Sequence, residues 1–275
     1  MTTATRGPSV HAAPPQSSTR HPPGPSTLRH SATLAWRGVV KTLHSPEALV
    51  EVTLQPVIFL LLFVYVFGGA ISGNTTTYLQ FALPGVLVQT VVFASAGTGT
   101  ALADDLKTGI FDRFRSLPIS RTAPLLGAIG ADLVRYLTSG VIMLGFGVAL
   151  GFRFHSDVVS VLTGMALIMA FAFALCWVFT ALAMLVRDPR SVQGLGFLIM
   201  MPLTFGSNVF VPANTMPSWL RAWVEVNPVS AVADAVRALF GGNPTGNAAT
   251  LTLGWSAAIV VVFAPLAVTL YRRRI

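Results

Sequence analysis

Long apolar runs separated by short polar breaks dominate the chain beyond residue 50. Six of them, Val50–Ile71, Leu79–Ala103, Ala123–Phe152, Val158–Val186, Ser191–Val211 and Ala249–Tyr271, reach the roughly 20 mainly apolar residues that a helix needs to cross a bilayer. The pattern predicts an all-α integral membrane protein with six transmembrane helices. Between the second and third runs lies Asp104–Arg121, DDLKTGIFDRFRSLPISR, charged and punctuated by proline. Within it Ile110, Phe111, Phe114 and Leu117 recur at helical spacing while Asp112, Arg113 and Arg115 face elsewhere. Gly109 to Arg115 thus predicts a short helix, broken at Leu117-Pro118. Too small to fold alone, it reads either as a lever docking on something outside this chain or as a charged cytoplasmic turn.

The flanks follow the same logic. Met1 to about Thr27 is rich in Pro, Ser, Thr and His without hydrophobic period, which predicts a disordered cytoplasmic tail over 1–27 ahead of one membrane domain over 28–275. No signal peptide is expected, because the first long apolar run begins only near Val50. From Leu28 to Glu47, apolar Leu34, Trp36, Val39, Val40 and Leu43 alternate with Arg29, Arg37, Lys41 and His44. That suits an N-terminal interfacial helix, either clamping the protein at the inner surface or simply anchoring it there. Ser45-Pro46-Glu47 then reads as a helix start. On the outer side, Met216–Trp223 and Val226-Asn227-Pro228 followed by Ala231–Phe240 predict two short helices, neither long enough to span.

Composition agrees with a membrane protein: 53% hydrophobic and 10% charged, with mean hydropathy +0.69. The net charge of +8 matters through its placement. With the N-terminus inside, Arg6, Arg20, Arg29, Arg37, Lys41, Lys107, Arg113, Arg115, Arg121, Arg187, Arg190 and Arg272–Arg274 fall on the cytoplasmic side. Only Arg153, Arg221 and Arg237 fall outside. This asymmetry predicts both termini in the cytoplasm, and membrane-edge charge accounts for the basic balance without nucleic acid as a partner. Cys176 is the single cysteine and lies mid-span, so no disulfide framework or cysteine metal cluster is expected. The five histidines, His11, His21, His30, His44 and His155, are scattered, so no metal site is expected either.

Polar and small residues inside the spans carry the remaining information. The first span holds Gln55 and Pro56. The second holds Pro84, Gly85, Gln89, Thr90, Ser95, Gly97, Thr98, Gly99 and Thr100; the fifth holds Gln193, Gly194, Gly196, Pro202, Thr204, Gly206, Ser207 and Asn208. In lipid such positions mark close helix contact or a substrate path, and a carboxamide at mid-depth such as Gln89 demands a partner or a polar cavity. Asp132 with Arg135, and Asp234 with Arg237, stand three apart on single helical faces and can neutralise each other. Gly147 and Gly151 suit close packing. Phe171, Phe173, Trp177 and Phe179 of the fourth span read as core or lipid face, or as a stacking surface for a hydrophobic molecule. Arg272–Arg274 pin the last helix to an anionic leaflet.

GIFDRFRSLPISR with the small-residue run Ala123–Ala131, and later NPVSAVADAVRALFGG at Asn227–Gly242, resemble two segments of ABC-2-type export permeases, particularly the daunorubicin/doxorubicin-resistance subfamily. The likeness runs from about Ser31 to the C-terminus. It implies a permease that is not an enzyme by itself, working with an ABC ATP-binding subunit in two copies, which would hold the ATP and Mg; this chain is expected to bind no cofactor. Its lack of a G-x-x-x-x-G-K-[ST] run agrees. By position, the resemblance makes Gly109, Phe111, Asp112, Arg113, Phe114, Arg115, Leu117 and Pro118 a cytoplasmic coupling helix. The expected division of labour puts Phe111 and Phe114 in a groove of the ATPase and pairs Arg113 and Arg115 with its acidic groups. The second and fifth spans would line the interface between two permease copies, a homodimer being favoured over a heterodimer. Gln89, Thr90, Thr204, Ser207 and Asn208 would then face the substrate pathway. The outer helices would form a re-entrant segment and gate, with Trp219, Trp223, Asn227 and Pro228.

The expected function is the permease subunit of an ATP-driven exporter in the bacterial cytoplasmic membrane. Its substrate is expected to be a hydrophobic or amphipathic small molecule, an anthracycline-like drug first and a lipid or glycolipid second. An ion-coupled secondary transporter would call for more ionisable residues at mid-membrane. A membrane-embedded enzyme would call for a catalytic constellation that the chain does not offer.

Overall fold

The computed structural model describes the backbone of residues 46–108, 123–186 and 188–274, with side chains over 54–108, 125–186 and 188–271. The expected tail, most of the interfacial helix, the coupling helix and the side chains of Arg272–Arg274 lie outside the described residues. The described elements are α1 (Pro46–Leu62), a π-helical turn (Phe63–Phe67), α2 (Gly68–Ser72), α3 (Thr75–Lys107), α4 (Ala123–Ala149), α5 (Val158–Leu185), α6 (Pro189–Phe205), a 3-10 turn (Ala213–Thr215), α7 (Ser218–Val226), α8 (Pro228–Phe240) and α9 (Ala248–Arg274).

Among the described residues, five stretches are long and apolar enough to cross a membrane: Leu54–Ser72, Thr75–Lys107, Leu125–Ala149, Val158–Leu185 and Ala248–Tyr271. α3 is the central one, with 72% of its most apolar window buried against 17% for the first and last stretches. α5 packs between α3 and α9, while α6 lies along α3. Between α2 and α3 the chain turns over Gly73 and Asn74 alone. Gly73 takes a left-handed φ of 68° and donates its N–H to Gly69 O at 3.0 Å, and the Asn74 side chain caps α3 by accepting from the Thr76 N–H at 2.8 Å. Two residues therefore reverse the chain.

Small residues set how closely the helices approach. A Cβ on Gly99 would lie 2.8 Å from Phe179 O, one on Gly164 2.8 Å from the Phe240 ring, and one on Gly147 2.5 Å from Leu83. Lipid supplies no hydrophobic force between helices, so contact at van der Waals distance is what holds them, and side chains here would prevent it. Gly151 has nothing within 4 Å of a Cβ and a φ of +107°, so it ends α4 with a turn rather than packing as expected with Gly147. The aromatic residues of α5 are largely interior, Phe171, Trp177 and Phe179 all being buried.

The fifth apolar run departs from expectation. It was expected to remain helical from Ser191 to Val211, yet α6 has 17 residues and stops at Phe205, a length of about 26 Å against a hydrocarbon core of about 30 Å. Local chemistry explains the stop. Gly206 leaves the helical region at φ −84° and ψ 20°, and Ser207 closes a tighter turn over it, its N–H reaching Thr204 O at 3.3 Å while its hydroxyl donates to the same oxygen. The chain then forms a buried loop in which Val209 and Phe210 join the core, with Phe210 stacked 4.2 Å from Phe63 of the π-helical turn. The two short helices expected next are both present as α7 and α8. α8 is inserted into the bundle, with Val232, Ala233, Ala235 and Val236 fully buried.

Candidate functional site

A groove of about 890 Å³ runs between α1, α3, α4 and α6. Its walls are two helical stripes. α3 contributes Gln89, Phe93, Gly97, Ala101 and Asp104; α6 contributes Pro189, Gln193, Phe197, Met201 and Phe205. Each stripe steps by three or four residues, the spacing of one helical face. Because α3 and α6 run antiparallel, the register places Phe93 opposite Phe197, their ring centroids 6.3 Å apart and the rings tilted by 54°. Gln55, Pro56 and Phe59 of α1 and Arg135 of α4 complete the lining.

Polar groups in the groove are unevenly satisfied. The Thr90 hydroxyl donates to Val86 O at 2.7 Å. Gln89 is 6% exposed, and its Oε1 has no hydrogen-bond partner. Arg135 pairs with Asp132 at 2.8 Å through Nη2, leaving its Nε buried without a partner.

Behind Arg135 lies a network that joins three helices. Thr98 Oγ1 donates to Asp132 Oδ2 at 2.6 Å and stands 2.6 Å from the Tyr136 hydroxyl, which also reaches Ala94 O at 3.0 Å. The Cys176 thiol of α5 lies 3.7 Å from the same Thr98 oxygen. Thr98 thus supplies a proton to the carboxylate while its lone pairs receive the phenol or the thiol. The ion pair was legible from its three-residue spacing; Thr98, Tyr136 and Cys176 were not, since their proximity is a product of packing.

A second polar assembly closes the opposite end of α3. Arg237 of α8 donates from Nε to Phe81 O at 3.0 Å, from Nη2 to Asn208 O at 2.7 Å and Val209 O at 2.9 Å, and from Nη1 to Asp234 Oδ1 at 3.2 Å. Its guanidinium also covers the Phe81 ring at 3.9 Å. Asn208 Nδ2 donates to both Asp234 oxygens, at 2.7 and 2.8 Å. Gly85 makes room for this assembly, since a Cβ there would lie 2.6 Å from Val209 O and 2.8 Å from Arg237 Nη2.

Of the five expected pathway residues, the structure puts Gln89 and Thr90 in the groove lining. Thr204, Ser207 and Asn208 are buried and absent from that lining: the Thr204 hydroxyl has no partner, Ser207 turns back on α6, and Asn208 faces α8. Among the expected gate residues, Asn227 caps α8 by accepting from the Val229 N–H at 2.9 Å and donates to Leu203 O at 2.8 Å, so it joins the start of α8 to the end of α6. Pro228 is the first residue of α8. Trp219 and Trp223 are exposed, and the indole of Trp223 closes over Gly206. The expected coupling residues, Gly109 to Pro118, lie outside the described residues. Phe93, Gly97, Gln193 and Phe197 were not singled out as site residues, although their four-residue steps from one another on two polar-bearing spans carry the signal.

At the end of α3 that leads toward residue 109, Lys107 pairs with Asp188 at 3.5 Å. Asp188 caps α6 by accepting from the Ser191 N–H at 3.2 Å. That backbone hydrogen bond first, then the Ser191 hydroxyl and Lys107, hold its carboxyl below the usual carboxylate pKa. Among the described residues no group of three or more His, Cys, Asp or Glu side chains could hold a metal ion.

Residues 30–240 match the pattern of the ABC-2 type transporter family. The chain is 42% identical over 246 residues to a daunorubicin resistance ABC transporter permease protein of Streptomyces coeruleorubidus, covering 89% of this chain and 87% of the relative. It is 30% identical over 264 residues to a doxorubicin resistance ABC transporter permease protein of Mycobacterium tuberculosis, covering 90% and 91%. A putative transport permease of Cyanophora paradoxa is 30% identical over 216 residues, covering 75% of this chain and 72% of its own length. With five apolar helices among the described residues long enough to cross a bilayer and most of its length matched, the chain belongs to the ABC-2 type transporter family of membrane permeases, within its daunorubicin/doxorubicin-resistance branch.

Proposed function

We propose that this chain is the permease subunit of an ATP-driven exporter that moves an amphipathic, anthracycline-like drug out across a bacterial cytoplasmic membrane, a reading supported by its daunorubicin- and doxorubicin-resistance relatives. The observation that carries the reading is the groove between α3 and α6, large enough for a drug-sized molecule and lined by aromatic and methionine side chains with a few amides. In this proposal α6 with its flanks is a sixth, shortened span, both termini are cytoplasmic, and a second copy of the chain faces the groove. ATP and Mg belong to a separate ATP-binding subunit, present twice, which docks on Gly109–Pro118. Trp219, Trp223, Asn227 and Pro228 form part of the outer gate. Motion of the docking segment reaches the groove directly, because that segment continues from α3, and reaches α6 through the Lys107–Asp188 pair.

The test is purification of the intact protein from its native membrane in mild detergent, mass analysis of whatever accompanies it, and an ATPase assay with daunorubicin or with phospholipid. A stoichiometric ATP-binding subunit whose turnover rises with daunorubicin supports the proposal. Stimulation by phospholipid alone would replace the drug by a lipid, and a partner-free protein would sink the ATP-driven reading.

A further inference from the structure

We propose that the π-helical turn at the end of α1 is a latch on the loop after α6. Its register sets Phe63 and Gly68 on one face, where they grip Phe210 and Tyr78, and its conversion to α-helix would turn Phe63 away and free the loop. The inference rests on the exporter reading for one point, that this end of the bundle is the outer one and has to open.

The turn matters through its register. A π-helical turn closes its hydrogen bonds between residues five apart, so positions i and i+5 stand one above the other. In an α-helix, at 3.6 residues per turn, the same two positions face about 140° apart. Phe63 opens the turn and Gly68 follows it. Phe63 stacks on Phe210, with ring centroids 4.2 Å apart and planes 19° apart. Gly68 is buried against the start of α3, where a Cβ would come within 3.3 Å of both Thr75 Cα and Tyr78 Cβ. Tyr78 in turn donates its hydroxyl to Phe210 O at 2.8 Å. Phe210 is thus held by its ring on one side and by its carbonyl on the other, and both holds lead back to the two ends of one turn. A continuous α-helix would satisfy only one of them.

What the latch holds is irregular backbone stitched down by side chains. The carbonyls of Asn208 and Val209 accept from Arg237, and that of Phe210 accepts from Tyr78. Backbone of this kind is tolerated inside a membrane protein only while its surroundings satisfy it. The rings also carry the latch into the groove wall. Phe63 neighbours Phe59 at 6.1 Å, Phe210 neighbours Phe205 at 5.4 Å, and both Phe59 and Phe205 line the groove. The latch therefore spans the end of the groove between α1 and α6, where its release opens a way out. Tyr65 and Val66, in the middle of the turn, are 63% and 66% exposed, which leaves that side of the turn free to rotate.

The experiment reads the opening of the loop in the absence of drug. Val209 is fully buried. In the full-length chain carrying Val209→Cys, the rate at which a membrane-impermeant maleimide added outside spheroplasts labels the introduced thiol measures how often the loop opens. The native Cys176 is equally buried, and the unsubstituted chain gives its background. Adding Phe63→Ala to this parent removes the stack and is expected to raise the rate about two- to tenfold, the worth of one aromatic pair. Phe63→Leu, which keeps apolar bulk without the flat ring, gives the same comparison should the alanine variant insert poorly. Deletion of Val66 separates grip from switch. It leaves Phe63 and Gly68 four apart, on one face of an ordinary α-helix, so the grip is kept while the change of register is abolished. Its rate is expected to fall below that of the parent. An unchanged rate in the Phe63 variants overturns the grip, and a rate in the deletion variant equal to or above the parent's overturns the switch. With neither daunorubicin nor ATP present, failure of the latch is read apart from failure of the exporter reading, which the ATPase assay decides.

Discussion

At the scale of single residues, Arg237 does the most for the architecture. One side chain, 13% exposed, ties α8 to α3 and to the loop after α6 through its bonds to Phe81, Asn208 and Val209. Its sequence spacing from Asp234 reveals one of those links. The others join residues as far as 156 positions apart, which no local pattern encodes. Replacing Arg237 by Leu would strand the three backbone carbonyls, at about 1–3 kcal/mol for each buried acceptor left without a partner, while half-exposed Asp234 keeps its two bonds from Asn208. Thermal unfolding of the purified protein is expected to show a clear drop in Tm, and a wild-type melting curve would show that the staple is dispensable.

At the scale of elements, the junction between α5 and α6 makes a pH prediction. Asp188 is held ionised by the Ser191 N–H and by its neighbours, so its folded-state pKa lies below its value in the unfolded chain. Its contribution is therefore complete above the ordinary carboxylate pKa of about 3.9 and is lost as pH falls through the lowered folded value. Acid titration followed by circular dichroism is expected to show the part of wild-type stability that depends on this cap being lost below that range. Asp188→Ala should lose stability at neutral pH and flatten the acid limb, and an unaltered acid limb would dismiss the cap as its source. Most elements were legible because apolar runs of spanning length have few other fates. The end of α6 was not, since its sequence stays apolar through Phe210 and Val211 while the break is made by the non-helical Gly206 and the turn that Ser207 closes on Thr204 O. For the candidate site, Gln89 and Thr90 line the groove whereas Thr204, Ser207 and Asn208 make buried contacts, and polarity alone does not distinguish the two settings.

At the scale of the whole molecule, the proposed function makes the chain one part of a larger machine, and its point of attachment can be tested without disturbing the groove. Phe114→Asp puts a charge into the apolar face expected to enter the ATP-binding subunit. The variant is expected to reach the membrane at wild-type level, to bind daunorubicin, and to lose drug-stimulated ATP hydrolysis; normal export by this variant would reject the docking assignment. The length of α3 bears on how substrate would approach. At 33 residues the helix measures about 50 Å, well beyond a hydrocarbon core of about 30 Å even when tilted by the usual 20°. The charged residues Asp104, Asp105 and Lys107 gather at its C-terminal end, so in the proposed orientation the groove wall from Gln89 to Asp104, about 22 Å long, would descend from dry surroundings into wet ones. An amphiphile drifting in the inner leaflet already floats with its polar end toward water, and such a wall would meet it in the posture it holds, leaving the reorientation to the machine rather than to the encounter.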